Sequence, residues 1–204
     1  MKRLPFTDRE HVAEAALAAA EVVRSSGVIL LPTETFYGLG AGAHDPVAMA
    51  RVFEMKERPR DVALPILCSD WAQLESLVEL PDRHRVRLSR IWPGALTVVL
   101  PCRGESPAGW EGASAVRIPG HPLLRTLLYL VGPLTGTSAN RHGDPPCTDP
   151  DAALDSLDAA PELVLDGGTT AGGAASTLVD LRTNEARVLR AGELLWDEPY
   201  PMLE

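Results

Sequence analysis

Val28-Ile29-Leu30-Leu31-Pro32 runs directly into Thr33-Glu34-Thr35-Phe36-Tyr37-Gly38-Leu39-Gly40-Ala41-Gly42-Ala43. The first five residues are a short, continuous apolar run, the pattern of a buried strand. The run then breaks into hydroxyls, a carboxylate and glycines at 38, 40 and 42, so a loop is expected there. Ligands of open sheets sit at the carboxyl ends of strands. Glycines in such a place let backbone approach a ligand closely. The same residues also suit a tight turn capped by threonines, and the pattern alone leaves both readings open. Neither GxxxxGK[ST] nor GxGxxG is present, so the stretch is not a standard nucleotide loop.

Upstream, Thr7 or Asp8 caps a helix through residues 10–26, with Gly27 as its stop and Leu17, Ala20 and Val23 facing a core. Downstream, Asp45-Pro46 opens a helix that ends near Lys56. Residues 64–67, 95–100, 115–118, 163–166, 176–181 and 186–190 read as strands. PLTGTSAN (133–140) reads as a strand breaking into a polar loop. Helices are expected around residues 71–78, 82–91, 121–131 and 151–157. Helices mixed with adjacent strands favour an α/β or α+β domain with a mixed sheet over strict βαβ alternation.

The chain has 204 residues, enough for a single core, and one domain over 1–204 is expected, with its core at about 8–193 and a tail at 194–204. Its formal charge of −9 argues against a dedicated nucleic-acid scaffold, though a local basic site depends on arrangement and not on the sum. Gly 17 and Pro 18 together make 35 residues, above the usual ~12%, which points to many shaped loops. No apolar run approaches the ~18 residues of a bilayer span, and MKRLPFTDREH has no apolar signal core. Cys68, Cys102 and Cys147 are odd in number and widely spaced, which suits a reducing cytoplasm. The histidines show no paired ligand spacing, so no protein-built metal cage is expected.

Several polar groups interrupt this apolar pattern. Lys56 and Arg58 fall where Pro59 ends a helix; they either complement the helix terminus or converge on one anion. Ser138 and Asn140 follow an apolar strand, where an Asx/ST turn and a hydrogen-bonding ligand site look alike. Arg117 and Arg190 interrupt apolar strands and face either solvent or an anion site. Ser176 repeats the hydroxyl at a strand edge after a glycine-rich loop. Trp71, Trp92, Trp110 and Trp196 read as packing residues, since aromatics are only 5% of the chain.

In order, PTETFYGLG, KERP, WPGALTVVL, SAVRIPGHP, TSAN, DGG…STLVDL and VLRAGEL resemble the YrdC/Sua5 family of threonylcarbamoyl-adenylate synthases. The resemblance runs from about Gly27 to Glu193 and is far more specific than any one segment. It implies a twisted mixed sheet flanked by helices around a positively lined concave cavity. It implies a nucleotidyltransferase that joins L-threonine, bicarbonate and ATP, with labile Mg²⁺, into threonylcarbamoyl-AMP and pyrophosphate. A separate transferase complex would then modify adenosine 37 of tRNA. By the same resemblance Thr33, Arg117 and Ser176 fall at positions for threonine or its carbamoyl group. Lys56, Arg58, Ser138, Asn140 and Arg190 fall at positions for ATP, with Lys56 and Arg58 as the catalytic cations.

The chain departs from some members at Val62-Ala63-Leu64, at Leu67 in place of a histidine, and at Pro145-Pro146-Cys147-Thr148. Two alternatives stand beside the synthase. One is a non-catalytic module binding double-stranded RNA; the other is a paralogue performing another carbamoyl or nucleotidyl transfer. The negative charge disfavours the first, and the retained PTETFYGLG and TSAN segments disfavour the second.

Overall fold

A computed structural model describes residues 1–57, 64–104 and 112–196. Arg58, Val62, Ala63 and Trp110, and the tail beyond Trp196, lie outside the described residues. Strand β1 (Lys2–Pro5) precedes helix α1 (Arg9–Arg24). The hairpin β2 (Ile29–Pro32) and β3 (Tyr37–Gly40) leads into α2 (Pro46–Met55) and β4 (Ile66–Leu67). Then come α3 (Trp71–Leu77), α4 (Asp82–Leu88), β5 (Leu96–Pro101) and β6 (Ala113–Arg117). Helix α5 (Pro122–Val131) precedes the two-residue strands β7 (Leu134–Thr135) and β8 (Thr137–Ser138). The order closes with α6 (Pro150–Asp155), β9 (Leu163–Asp166), β10 (Thr177–Asp180) and β11 (Arg187–Arg190).

Local chemistry sets the helix starts. Asp8, Asp45 and Asp149 each accept two backbone N–H groups at the first turns of α1, α2 and α6. Each such cap contributes about 1 kcal/mol. Proline at the first turn of α2, α5 and α6 lacks the donor that would go unused there.

The strands form two mixed sheets, ordered β1-β9-β2-β3-β8 and β11-β10-β5-β6-β4-β7. The loop expected after Pro32 is a turn over residues 33–36 followed by β3, which is antiparallel to β2 with Leu30 opposite Leu39. PLTGTSAN is two strands in two different sheets: β7 pairs with β4 and β8 with β3. Gly136 is the step between them. A Cβ there would sit 2.6 Å from Leu67 Cδ1, so only glycine lets the chain cross at that point.

The apolar run of β2 is buried on both faces. Val28 and Leu30 join a large cluster with Leu39, Ile66, Leu96, Val98, Val116 and Val179, which ties the two sheets together. Ile29 and Leu31 point the other way, into a cluster with Ala15, Ala19, Leu124 and Leu127 of α1 and α5. Alternate residues of a strand face opposite sides, so a strand between two cores must be apolar throughout. The face of α1 differs in part from expectation, for Val23 packs against this second cluster but Leu17 does not. Val12, Ala15, Ala16 and Ala19 are buried, whereas Leu17 is 72% exposed. The alanines allow close approach to α5 and the sheet, and Leu17 projects from the opposite side. Trp92 is buried with its Nε1–H on Leu96 O and stacks obliquely on Trp71; Trp196 lies under the Arg87 guanidinium.

Candidate active site

A cavity of about 370 Å³ opens where strand ends of both sheets meet. The first sheet contributes Thr33, just past β2, and Ser138, the last residue of β8. The second contributes Thr97 of β5, Arg117 at the end of β6, Ser176 before β10 and Arg190 at the end of β11. Five residues singled out in the sequence therefore share one basin: Thr33, Arg117, Ser138, Ser176 and Arg190.

Thr33 fulfils both readings of its segment at once. Its hydroxyl donates to Phe36 O at 2.7 Å and accepts the N–H groups of Thr35 and Phe36, each at 3.2 Å. It is the pin of a tight turn, and the turn is part of the cavity wall. The glycine-rich loop is locked onto the same turn. Thr35 O accepts from Gly172 N and Thr170 Oγ1 at 2.8 Å, and Tyr37 OH donates to Gly168 O at 2.7 Å. Burial pushes the Tyr37 phenol up to about 12, so it remains a neutral hydrogen-bonding strut.

On the opposite wall, Ser176 Oγ lies 2.9 Å from Thr97 Oγ1 and accepts from Arg190 Nη2 at 3.1 Å. Arg190 also donates to Ser176 O at 2.8 and 3.2 Å. Burial and the neighbouring Arg117 charge both lower the Arg190 pKa, and an anion beside Arg190 would favour its charged form. Arg117 is held by Gly94 O at 3.1 Å and by Glu34 Oε1 at 2.7 Å. The same Glu34 oxygen accepts Gly120 N–H at 2.6 Å. Burial pushes the Glu34 carboxyl up, but the Arg117 charge and these hydrogen bonds outweigh it, and its pKa ends below the ordinary value.

Lys56 and Asn140 stand behind the cavity and not in its wall. Lys56 is the C-cap of α2 and is 2% exposed. Its Nζ donates to Asn140 O at 2.5 Å and to Ser138 O, while its own carbonyl accepts His142 N–H at 2.9 Å. Asn140 Nδ2 donates to Arg141 O and Asp144 O at 2.8 and 2.7 Å. Both residues thus shape the loop that presents Ser138. Leu67, at the departure from a family histidine, packs against the Gly136 crossing.

Thr97, Thr35 and Glu34 carry roles that no sequence expectation assigned to them. Thr97 had a readable signal, a hydroxyl inside the apolar run Leu96-Thr97-Val98-Val99, the same kind of interruption that marked Arg117. Glu34 and Thr35 lay within the segment singled out, but their partners are remote in sequence.

Two mixed sheets thus meet at a hydroxyl-lined basin that two guanidiniums enter, in an α/β protein. A family profile for Sua5/YciO/YrdC, which carries the description "Telomere recombination", matches residues 21–192. The chain belongs to the Sua5/YciO/YrdC family. It is 38% identical over 181 residues to a threonylcarbamoyl-AMP synthase of Bacillus subtilis, covering 85% of this chain and 52% of that protein. Its fold matches the crystal structure of P. abyssi Sua5 complexed with L-threonine at a TM-score of 0.87 and 34% identity, over 95% of this chain and 58% of that one. It also matches E. coli YciO at a TM-score of 0.83 and 25% identity, over 94% and 95% of the two chains. This chain therefore spans about half the length of the Bacillus and P. abyssi proteins and nearly all of YciO. Among the described residues no helix is long and apolar enough to cross a membrane.

Proposed function

We propose that this chain is an L-threonylcarbamoyladenylate synthase, consuming L-threonine, bicarbonate and ATP and releasing pyrophosphate and water. The observation that carries this reading is the convergence of Thr33, Thr97 and Ser176 hydroxyls with the Arg117 and Arg190 guanidiniums in one cavity. The names of the Bacillus and P. abyssi relatives support it.

In this reading the threonine carboxylate lies against the Arg117 fork, a planar match of two donors to two oxygens. Thr33 and Ser176 address the threonine hydroxyl and amine. The amine adds to bicarbonate and, with loss of water, gives a carbamate. A carbamate oxygen attacks the α-phosphorus of ATP, the bond from that phosphorus to the bridging oxygen breaks, and pyrophosphate leaves. No side-chain nucleophile is needed. The protein contributes placement of the reactants and cations facing the charge that develops on phosphate oxygens. Arg190 fits the phosphates, because among the described residues no carboxylate lies within ion-pair distance of it, whereas Glu34 already balances Arg117. Ser138 and the loop behind it, held by Lys56 and Asn140, would receive the nucleoside. Arg58 would add a second phosphate cation.

Mg²⁺ fits this scheme as a companion of ATP. Among the described residues no three acidic, His or Cys groups cluster to cage a metal, and Glu34, which bonds the cavity residue Arg117, is also committed to Gly120. A metal held by phosphate oxygens and water needs no such cage. The product would pass to a transferase complex acting on adenosine 37 of tRNA, in the cytoplasm.

The test is pyrophosphate release by the purified chain with each substrate omitted in turn. Release is expected only with ATP, bicarbonate and L-threonine together. Full release without threonine contradicts the reading.

A further inference from the structure

We propose that Glu34 is a positioning residue that aims Arg117 at the carboxylate of the bound amino acid. This rests on the reading above that Arg117 holds threonine.

A guanidinium binds a carboxylate with two parallel donors only when its plane is fixed. Arg117 has two anchors: its Nε–H on Gly94 O, and one Nη2 donor on Glu34 Oε1. Among the described residues nothing takes the donors on Nη1, and Arg117 lines the cavity. Glu34 is fixed in turn by Gly120 N–H. A Cβ at Gly120 would stand 3.0 Å from Glu34 Oε1 and 3.2 Å from its Cδ, so it would press the carboxylate out of its present seat. The arrangement is not optimised for stability alone. Glu34 Oε2 is buried without a hydrogen-bond partner, and a buried unsatisfied oxygen destabilises a fold.

Electrostatics separates a positioning role from simple neutralisation. Arg117 and Arg190 repel each other across the basin, and Glu34 offsets one of the two charges. Removing the Glu34 charge makes the basin more positive. If Glu34 only neutralised, Glu34→Gln would tighten the hold on the ATP phosphates and on the threonine carboxylate alike. If it aims Arg117, threonine must weaken while ATP holds or tightens.

The experiment is calorimetric titration of L-threonine and, separately, of ATP into the full chain. The proteins are the parent, Glu34→Gln and Gly120→Ala, with thermal unfolding recorded for each. Gly120→Ala keeps every charge and disturbs only the seat of Glu34. Both variants are expected to raise the threonine Kd about tenfold, the scale of a hydrogen bond to a charged group, and to leave the ATP Kd within about twofold or lower. An unchanged threonine Kd in a folded Gly120→Ala or Glu34→Gln protein overturns the proposal and leaves the function standing. Equal weakening of both ligands also overturns it, since that is the mark of general disruption. A parent chain that binds no threonine overturns the functional reading and this proposal together.

Discussion

Thr97 and Ser176, 79 positions apart in sequence, place their hydroxyl oxygens 2.9 Å from each other at the floor of the cavity. Both are nearly inaccessible to solvent, and Arg190 bonds to the same serine. The pair fixes which way the Ser176 hydroxyl points, and that direction bears on whether a small hydroxylated amino acid can be read.

Thr97→Val keeps the shape and removes one partner. It is expected to cost about 1 kcal/mol of stability, because Ser176 loses a buried hydrogen bond. The threonine KM for pyrophosphate release is expected to rise several-fold with a smaller change for ATP. Steady-state kinetics with each substrate varied separately checks this; equal changes for both would deny Thr97 a role in amino-acid selection.

The segment after β11 clamps the glycine-rich loop from outside. Ala174 N–H donates to Glu193 Oε2 at 2.8 Å, and Glu193 N–H donates to Ala175 O at 2.9 Å. Gly192 passes so close that a Cβ there would lie 2.6 Å from the carbonyl carbon of Ser176. Gly192→Ala must push backbone against backbone. A loss of about 2 kcal/mol or more in denaturant unfolding is expected, together with weakened ATP use, because Ser176 and Arg190 flank the clash. Unchanged stability would contradict this packing.

The depressed pKa of Glu34 fixes the direction of a pH effect. A carboxyl whose folded value lies below its ordinary 4.5 contributes stability that is fully present above that pH and lost as pH falls through the folded value. Glu34→Gln is therefore expected to have a lower Tm than the parent at pH 7, and the two should converge well below pH 4.5, where the parent carboxyl is protonated. A gap that stays constant with pH would mean that the Glu34 charge is not what stabilises the pair.

Leu17 and Ala15 give opposite expectations for one helix. Leu17→Lys on the exposed face should change stability by no more than about 0.5 kcal/mol. Ala15→Leu, at a fully buried position between α1 and its neighbours, should cost about 1–3 kcal/mol by overpacking. Chemical denaturation of both variants checks the face assignment.

The contrast within α1 shows where the sequence is legible. Helix starts were readable because Asp8, Asp45 and Asp149 act on backbone groups two or three residues away. The inward face of α1 was not, because the tight contact selects alanine and the larger Leu17 is turned outward. Lys2–Pro5 shows no strand signal in its own residues; it becomes a strand by parallel pairing with Leu163–Asp166 at the far end of the chain. The split of PLTGTSAN between two sheets depends on Gly136 passing over Leu67, a contact between distant segments. The site follows the same rule. Arg117 and Arg190 were visible as charges interrupting apolar strands. Nothing in the sequence around a lysine at a helix end shows that, as for Lys56, its ammonium reaches the carbonyls of Ser138 and Asn140 some eighty positions away.

Mass spectrometry of the product formed from isotopically labelled bicarbonate, ATP and L-threonine by the purified chain tests the central claim most directly. A labelled adenylate carrying one carbon from bicarbonate and the intact threonine is the expected species, and it should vanish in Arg117→Ala. Nucleotide turnover that yields no such adduct would contradict the account.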